Sequence, residues 1–185
     1  MYRFLLPLIL LASFSYNDAT LLDKTREFLL KAKIQTIMDE EPLETVVIGS
    51  LHSEKVAILR KPTLYQVLKS SHDQAVYFYR QGYSSEALII NVFPLVDPKN
   101  QVEFLKKEIR NSMDVTSTIP PEISVSPDET YVYSTPAIFR YNLEFLHSSL
   151  ILDSGDYAIQ IISLRYRECT PEYLLKKLHQ IVEIR

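Results

Sequence analysis

Apolar and polar residues follow three rhythms along this chain. The first has no alternation. Phe4 to Ala12 is an apolar run, preceded by Arg3 and followed by the small residues Ser13 and Ser15. The run reaches Phe14 at most, whereas a membrane-spanning helix needs about 20 apolar residues. A short cationic start, an apolar core of this length and small residues after it are the layout of a secretory signal peptide. Residues 1–15 are therefore expected to be a removable leader, with cleavage before Tyr16 or, as a second position, after Ala19. No cysteine follows the run, so it offers no lipoprotein anchor.

The second rhythm is helical. Leu21, Leu22, Phe28, Leu29 and Ala32 predict a helix from Leu21 to Lys33 with that face buried and Thr20 as its N-cap. Ile34, Ile37 and Met38 fall on a different face, and Glu40-Glu41-Pro42 ends the helix. Pro62-Thr63 predicts a short helix over 64–70. Asp97-Pro98 opens another, to Met113, which turns Val102, Leu105, Ile109 and Met113 inward and Lys106, Lys107 and Arg110 outward. Thr170-Pro171-Glu172 caps the last helix, whose stripe is Leu174, Leu175, Leu178, Ile181 and Val182.

The third rhythm has period two. It predicts strands over 44–48, 55–59, 75–80, 86–93, 130–134, 137–147 and 157–167, with a further start at 148–152. Gln81-Gly82 and Asp153-Ser154-Gly155-Asp156 read as hairpin turns. Strands joined by tight turns are antiparallel. The chain is thus expected to be an α+β fold: an antiparallel sheet with helices packed on it, as one domain over 16–185. The strands at 86–93 and 157–167 are apolar on both faces, which predicts cover on each side and a three-layer sandwich. This order of elements resembles that of PsbP-type sandwiches. The likeness is one of order alone, and no function is carried across it.

Composition narrows the chemistry. The chain has 185 residues and a net charge of −3 with both signs mixed, and no basic stretch that would neutralise phosphates, so no nucleic acid is expected as a partner. Cys169 is the only cysteine, which excludes an internal disulfide. It reads as a half-buried inert thiol or, second, as a bridge between two chains. Small secreted animal domains are often dense in disulfides. The single cysteine and the lack of an N-x-[ST] acceptor therefore tilt the destination toward a bacterial envelope, periplasmic or extracellular.

Candidate catalytic groups are sparse. The three glycines stand at turns, so no nucleotide loop can be built, and no GxSxG, HExxH or CxxC occurs. No catalytic, cofactor-binding or metal-ligating residue is assigned, and no cofactor is expected. His147, Ser148 and Ser149 with Asp153 and Asp156 supply the residue types of a Ser-His-Asp device, but such a device is defined by geometry. His52, His72 and His179 read as turn or helix-surface residues. Tyrosine is the one excess, twelve with no tryptophan. Tyr131, Tyr133, Arg140, Arg165, Tyr166 and Arg167 form the candidate interaction face, because Tyr and Arg enrich interface centres. The loop over 115–129 joins it as a candidate.

The leading expectation is an exported, non-enzymatic binding domain whose partner is another envelope or secreted protein. A membrane enters only if the N-terminal segment stays attached. A secreted host-acting factor is the alternative, as is a hydrolase with a site assembled from distant residues. Two histidines and a carboxylate in one deep pocket would favour the hydrolase.

Overall fold

The computed structural model describes residues 5–41, 44–62, 65–69, 75–80, 87–95, 101–112, 122–135, 137–140, 143–165 and 169–185. In chain order the elements are α1 (Leu5–Glu40), β1 (Val46–Gly49), β2 (Val56–Leu59), β3 (Tyr65–Lys69), β4 (Ala75–Arg80), β5 (Ala87–Pro94), α2 (Gln101–Ser112), β6 (Ser124–Val125), β7 (Tyr131–Ser134), β8 (Ala137–Arg140), β9 (Leu143–Asp153), β10 (Tyr157–Arg165), α3 (Pro171–Ile181) and β11 (Val182–Ile184). All strand pairs among them are antiparallel, so the chain is α+β.

The strands form two sheets. The large one runs β3-β4-β5-β10-β9-β7-β6, with β8 also on β9, and the small one runs β1-β2-β11. One face of the large sheet carries Leu88, Ile90, Val92, Tyr133, Leu150, Tyr157, Ile159 and Ile161, packed with Ile48, Ala57, Leu59 and Val182 of the small sheet and Leu174, Leu178 and Ile181 of α3. The opposite face carries Val132, Ile151 and Ala158, covered by Leu105 and Ile109 of α2. The outer face of the small sheet, Val56 and Ile58 with Val47, takes Leu30, Ile34 and Ile37 of α1. The sequence anticipated cover on both faces of one sheet. It did not anticipate that much of that cover is a second sheet, nor that α1 forms a further layer.

α1 is the largest departure from expectation. The helix does not start at Leu21, and Thr20 lies inside it rather than at its cap. The face expected to be buried is in water, and Leu30, Ile34 and Ile37 dock instead. The docking is close: a Cβ added to Gly49 would meet Leu30 Cδ1 at 2.5 Å. Glycine at the end of β1 therefore leaves room for the Leu30 side chain. The far end of the helix stops just before Pro42, as expected. There Glu41, with only 8% of its side chain exposed, accepts from Arg60 Nε at 2.8 Å and Nη2 at 2.7 Å. Arg185 reaches the same carboxylate at 2.8 Å, and Glu183 pairs with both arginines. These charges tie the end of α1 to β2 and to the end of the chain. The Arg60 hydrogen bond is the main reason the Glu41 carboxyl is held below its usual range.

Three more expectations need correcting. Residues 65–69 are strand β3 rather than part of a helix, because pairing with β4 from Tyr65↔Arg80 to Lys69↔Val76 overrides a spacing that suits either element. The strand expected over 137–147 is two: Arg140 of β8 pairs Leu143 of β9, and β9 continues unbroken to Asp153. Val182 belongs to β11 rather than to the last helix, since it pairs with Leu59 of β2. Two local signals stand as expected. Gly155 has φ +85 in the turn between β9 and β10, and Thr170 accepts from Tyr173 N at 3.3 Å with proline in the first turn of α3. The expected Gln81-Gly82 turn and the Asp97-Pro98 cap lie outside the described residues.

Candidate functional site

The residues of the Ser-His-Asp constellation do not meet. Consecutive residues of a strand face opposite sides, so His147 and Ser148 part company within β9. Ser148 Oγ lies 2.9 Å from Thr135 Oγ1 and accepts from Cys169 N at 3.3 Å. Asp153 is at the other end of β9, about 20 Å along at roughly 3.3 Å per residue. It accepts from Gln101 Nε2 and Gly155 N. Asp156 accepts from Ser53 Oγ at 3.0 Å and pairs with Lys55 at 3.0 Å.

What the large sheet holds instead is a polar row across its interior. Asn91 of β5 faces Gln160 of β10, and Asn91 Nδ2 donates to Gln160 Oε1 at 2.7 Å. Gln160 Nε2 donates diagonally to Ser149 Oγ of β9 at 3.1 Å. Ser149 is paired with Ser134 of β7, whose hydroxyl donates to the Glu122 carbonyl. Gln160, Ser149 and Ser134 are all buried. On the same side, two residues along from Ser149, is His147. It is 7% exposed and its Nε2 has no hydrogen-bond partner among the described residues. Burial alone pushes its imidazole down to about 4, so it is neutral in neutral solution. The row fixes strand register. It was visible in the sequence only as polar residues, Asn91 and Gln160, interrupting runs apolar on both faces.

The second polar place is at the surface, where the turn between β1 and β2 meets α1. Ser50 and Ser53 fold this turn: His52 N donates to Ser50 Oγ at 3.1 Å and Lys55 N to Ser53 Oγ at 3.0 Å. Asp156 fastens it from the neighbouring hairpin, as does Tyr157, whose hydroxyl donates to the Lys55 carbonyl at 2.9 Å. Burial, with the Asp156 charge beside it, pushes the Tyr157 phenol up to about 12. From α1, Lys33 Nζ donates to the Glu54 carbonyl. Between turn and helix is a cleft of about 630 Å³, lined by Arg26, Leu29, Leu30, Lys33, Leu51 and His52 among others. Its one histidine is His52. Among the described residues no group of three or more His, Cys, Asp or Glu could hold a metal ion.

The described members of the candidate Tyr/Arg face stand at separate places in the large sheet. Tyr133 is buried and donates its hydroxyl to the Cys169 carbonyl, which withdraws it from any surface. Tyr131 is half-buried against the same core. Tyr131 pairs with Leu152 and Arg165 with Leu146, so they stand toward opposite ends of β9. Arg140 ends β8 at Leu143. Tyr166 and Arg167 lie outside the described residues, as does His72. Cys169 is fully buried rather than half-buried, with Sγ 3.3 Å from Ser163 Oγ, so its thiol is out of reach of a second chain. Of the 115–129 loop, residues 122–129 are described. They form β6 and a turn closed by Glu129 N to Ser126 O at 2.9 Å, and residues 115–121 lie outside.

No family model matches the chain, and neither does any curated protein. The functional reading therefore rests on the geometry above and on one feature the sequence reading placed in the core. Leu21, Leu22, Phe28 and Leu29 of α1 are exposed, between 52% and 71%.

Proposed function

We propose that this chain is an exported protein, periplasmic or extracellular, that works by binding rather than by catalysis. The export half is supported by the signal-peptide layout of residues 1–15. The binding half is carried by a single observation: the side of α1 that bears Leu21, Leu22, Phe28 and Leu29 faces water and joins none of the hydrophobic clusters of the described residues. Monomers rarely leave large apolar side chains grouped in this way without a use. A hydrolase would gather two histidines and a carboxylate in one pocket. The α1 cleft brings His52 alone near Glu54, and His147 is inside the sheet.

Two measurements test the halves separately. Fractionation of native cells, with mass spectrometry of the N-terminus, is expected to find the protein outside the cytosol and starting at Tyr16. A full-length protein in the cytosol overturns export. A photo-crosslinking residue placed at Phe28 in living cells is expected to trap an adduct. A trace confined to unmodified protein overturns binding at α1.

A further inference from the structure

We propose that α1, over residues 20–33, docks on the surface of an anionic lipid bilayer. This names the partner of the binding surface and rests on that reading. It does not need residues 1–15 in place, because the surface begins at Leu21.

The argument starts from the helical wheel, at about 3.6 residues per turn. Leu30, Ile34 and Ile37 occupy one side and dock on the small sheet. Leu21, Leu22, Phe28 and Leu29 fall on the opposite side, in a stripe centred on Thr25 and Ala32. Charge is sorted around that stripe. Lys24 and Lys31 run along one border, and Arg26 and Lys33 along the other. The acids of the segment, Asp23 and Glu27, fall on the side turned toward the body of the protein, where Glu27 pairs with Lys31 at 2.6 Å. An apolar stripe with cations on both borders is the pattern of a helix lying in a membrane interface. The apolar side chains enter the acyl boundary while long cationic stems reach back to the phosphates. Leu51, 45% exposed at the tip of the β1–β2 turn, lines the cleft with Leu29 and extends the apolar area. Arg26 and Lys33 line the same cleft against one acid, Glu54, and the excess of cations gives it the sign that attracts an anionic headgroup.

A second copy of the chain fits less well. Both borders of the stripe are cationic, so pairing two α1 helices along it in either direction sets like charges against each other. Four side chains over two turns also expose less than the roughly 800 Å² per partner of a standard interface.

The chain has no tryptophan, so Phe28→Trp installs a single reporter on an exposed position. The full chain carrying it is mixed with vesicles of equimolar phosphatidylcholine and phosphatidylglycerol. Its emission is expected to shift to the blue, to shift much less with phosphatidylcholine alone, and to return as salt is raised. Adding Leu21→Gln, Leu22→Gln and Leu29→Gln is expected to raise the lipid needed for half the shift by at least about tenfold. Lys24→Glu with Lys33→Glu is expected to erase the preference for the anionic lipid. An unshifted emission overturns the proposal. So does an equal shift on both lipids, or a shift that grows with protein concentration in the absence of lipid. If vesicles leave the tryptophan unshifted while the crosslinker at residue 28 still traps a protein, the membrane proposal falls and the binding reading stands. If neither responds, both fall.

Discussion

The interior of the large sheet and the outer side of α1 break the same rule in opposite senses. One hides polar groups, the other exposes apolar ones, and these two exceptions carry more information than ordinary core or surface does. Inside the sheet the exception is compensated within the chain. Asn91, Gln160 and Ser149 satisfy one another, and Ser148, Ser163 and Cys169 do so on the other face. On α1 the exposed stripe joins no hydrophobic cluster of the described residues. An interior polar row answered by its own neighbours is a device for folding. An exterior apolar stripe with no neighbour is a device for meeting something else.

Substitutions that weigh the two regions against each other should separate them sharply. The largest effect is expected in the core that flanks the polar row. Ile161 is fully buried between the sheets, and Ile161→Ala is expected to cost about 2–5 kcal/mol in urea unfolding. A loss under 1 kcal/mol would mean that the two sheets are not packed as described.

Next comes His147, the one member of the interior side whose nitrogen has no partner among the described residues. Its imidazole sits at about 4 in the folded chain against an ordinary 6.5. Above pH 6.5 both folded and unfolded chains hold it neutral, and it adds no slope. As pH falls below 6.5 the unfolded chain takes up a proton that the folded chain refuses, so stability declines until about pH 4. Below that the folded imidazole is protonated too and the slope ends. The fall amounts to about 3 kcal/mol. From pH 7 to 4 the unfolding free energy of wild type is expected to fall by that amount relative to His147→Leu. Parallel curves would put His147 in water.

The row itself should come third. Gln160→Ala strands Asn91 Nδ2 and removes the donor to Ser149, at an expected cost of about 2 kcal/mol. In a double-mutant cycle Asn91→Ala should add less to Gln160→Ala than it costs alone, because the two share one hydrogen bond.

Those same positions show how far the sequence could be read. Elements announced by local chemistry were legible: the Thr170-Pro171 cap, the Gly155 turn, and β5 and β10 as strands apolar on both sides. Elements decided by a distant partner were not. Val67 and Leu68 suit a helix as well as a strand until β4 pairs with the segment, and Val182 continues a helical stripe until β2 claims it. The hairpin between β8 and β9 carries no glycine or proline between Arg140 and Leu143 to announce it. The candidate interaction face depends on the same kind of distant pairing. Tyr131 and Arg165 are near in sequence rhythm, but the register of β9 places them toward different ends of that strand. For α1 the sequence offered two apolar faces and no rule for choosing. The stronger stripe was expected inside. Gly49 leaves room for Leu30 and Ile34 to close on the sheet, and the other face is left outward.

That choice sets the smallest expected effect on stability and the most discriminating one. Leu22→Gln removes a half-exposed leucine that touches nothing in the core, and surface changes of this kind stay within about 0.5 kcal/mol. Urea midpoints of wild type and variant should therefore coincide, while the lipid dependence of the tryptophan at residue 28 moves. A fall in stability comparable to that of Ile161→Ala would mean that the stripe packs inside the protein after all, and the two regions would no longer differ in kind. A stable variant with altered binding separates them: the sheet interior spends its unusual residues on its own fold, and α1 keeps its own for a partner.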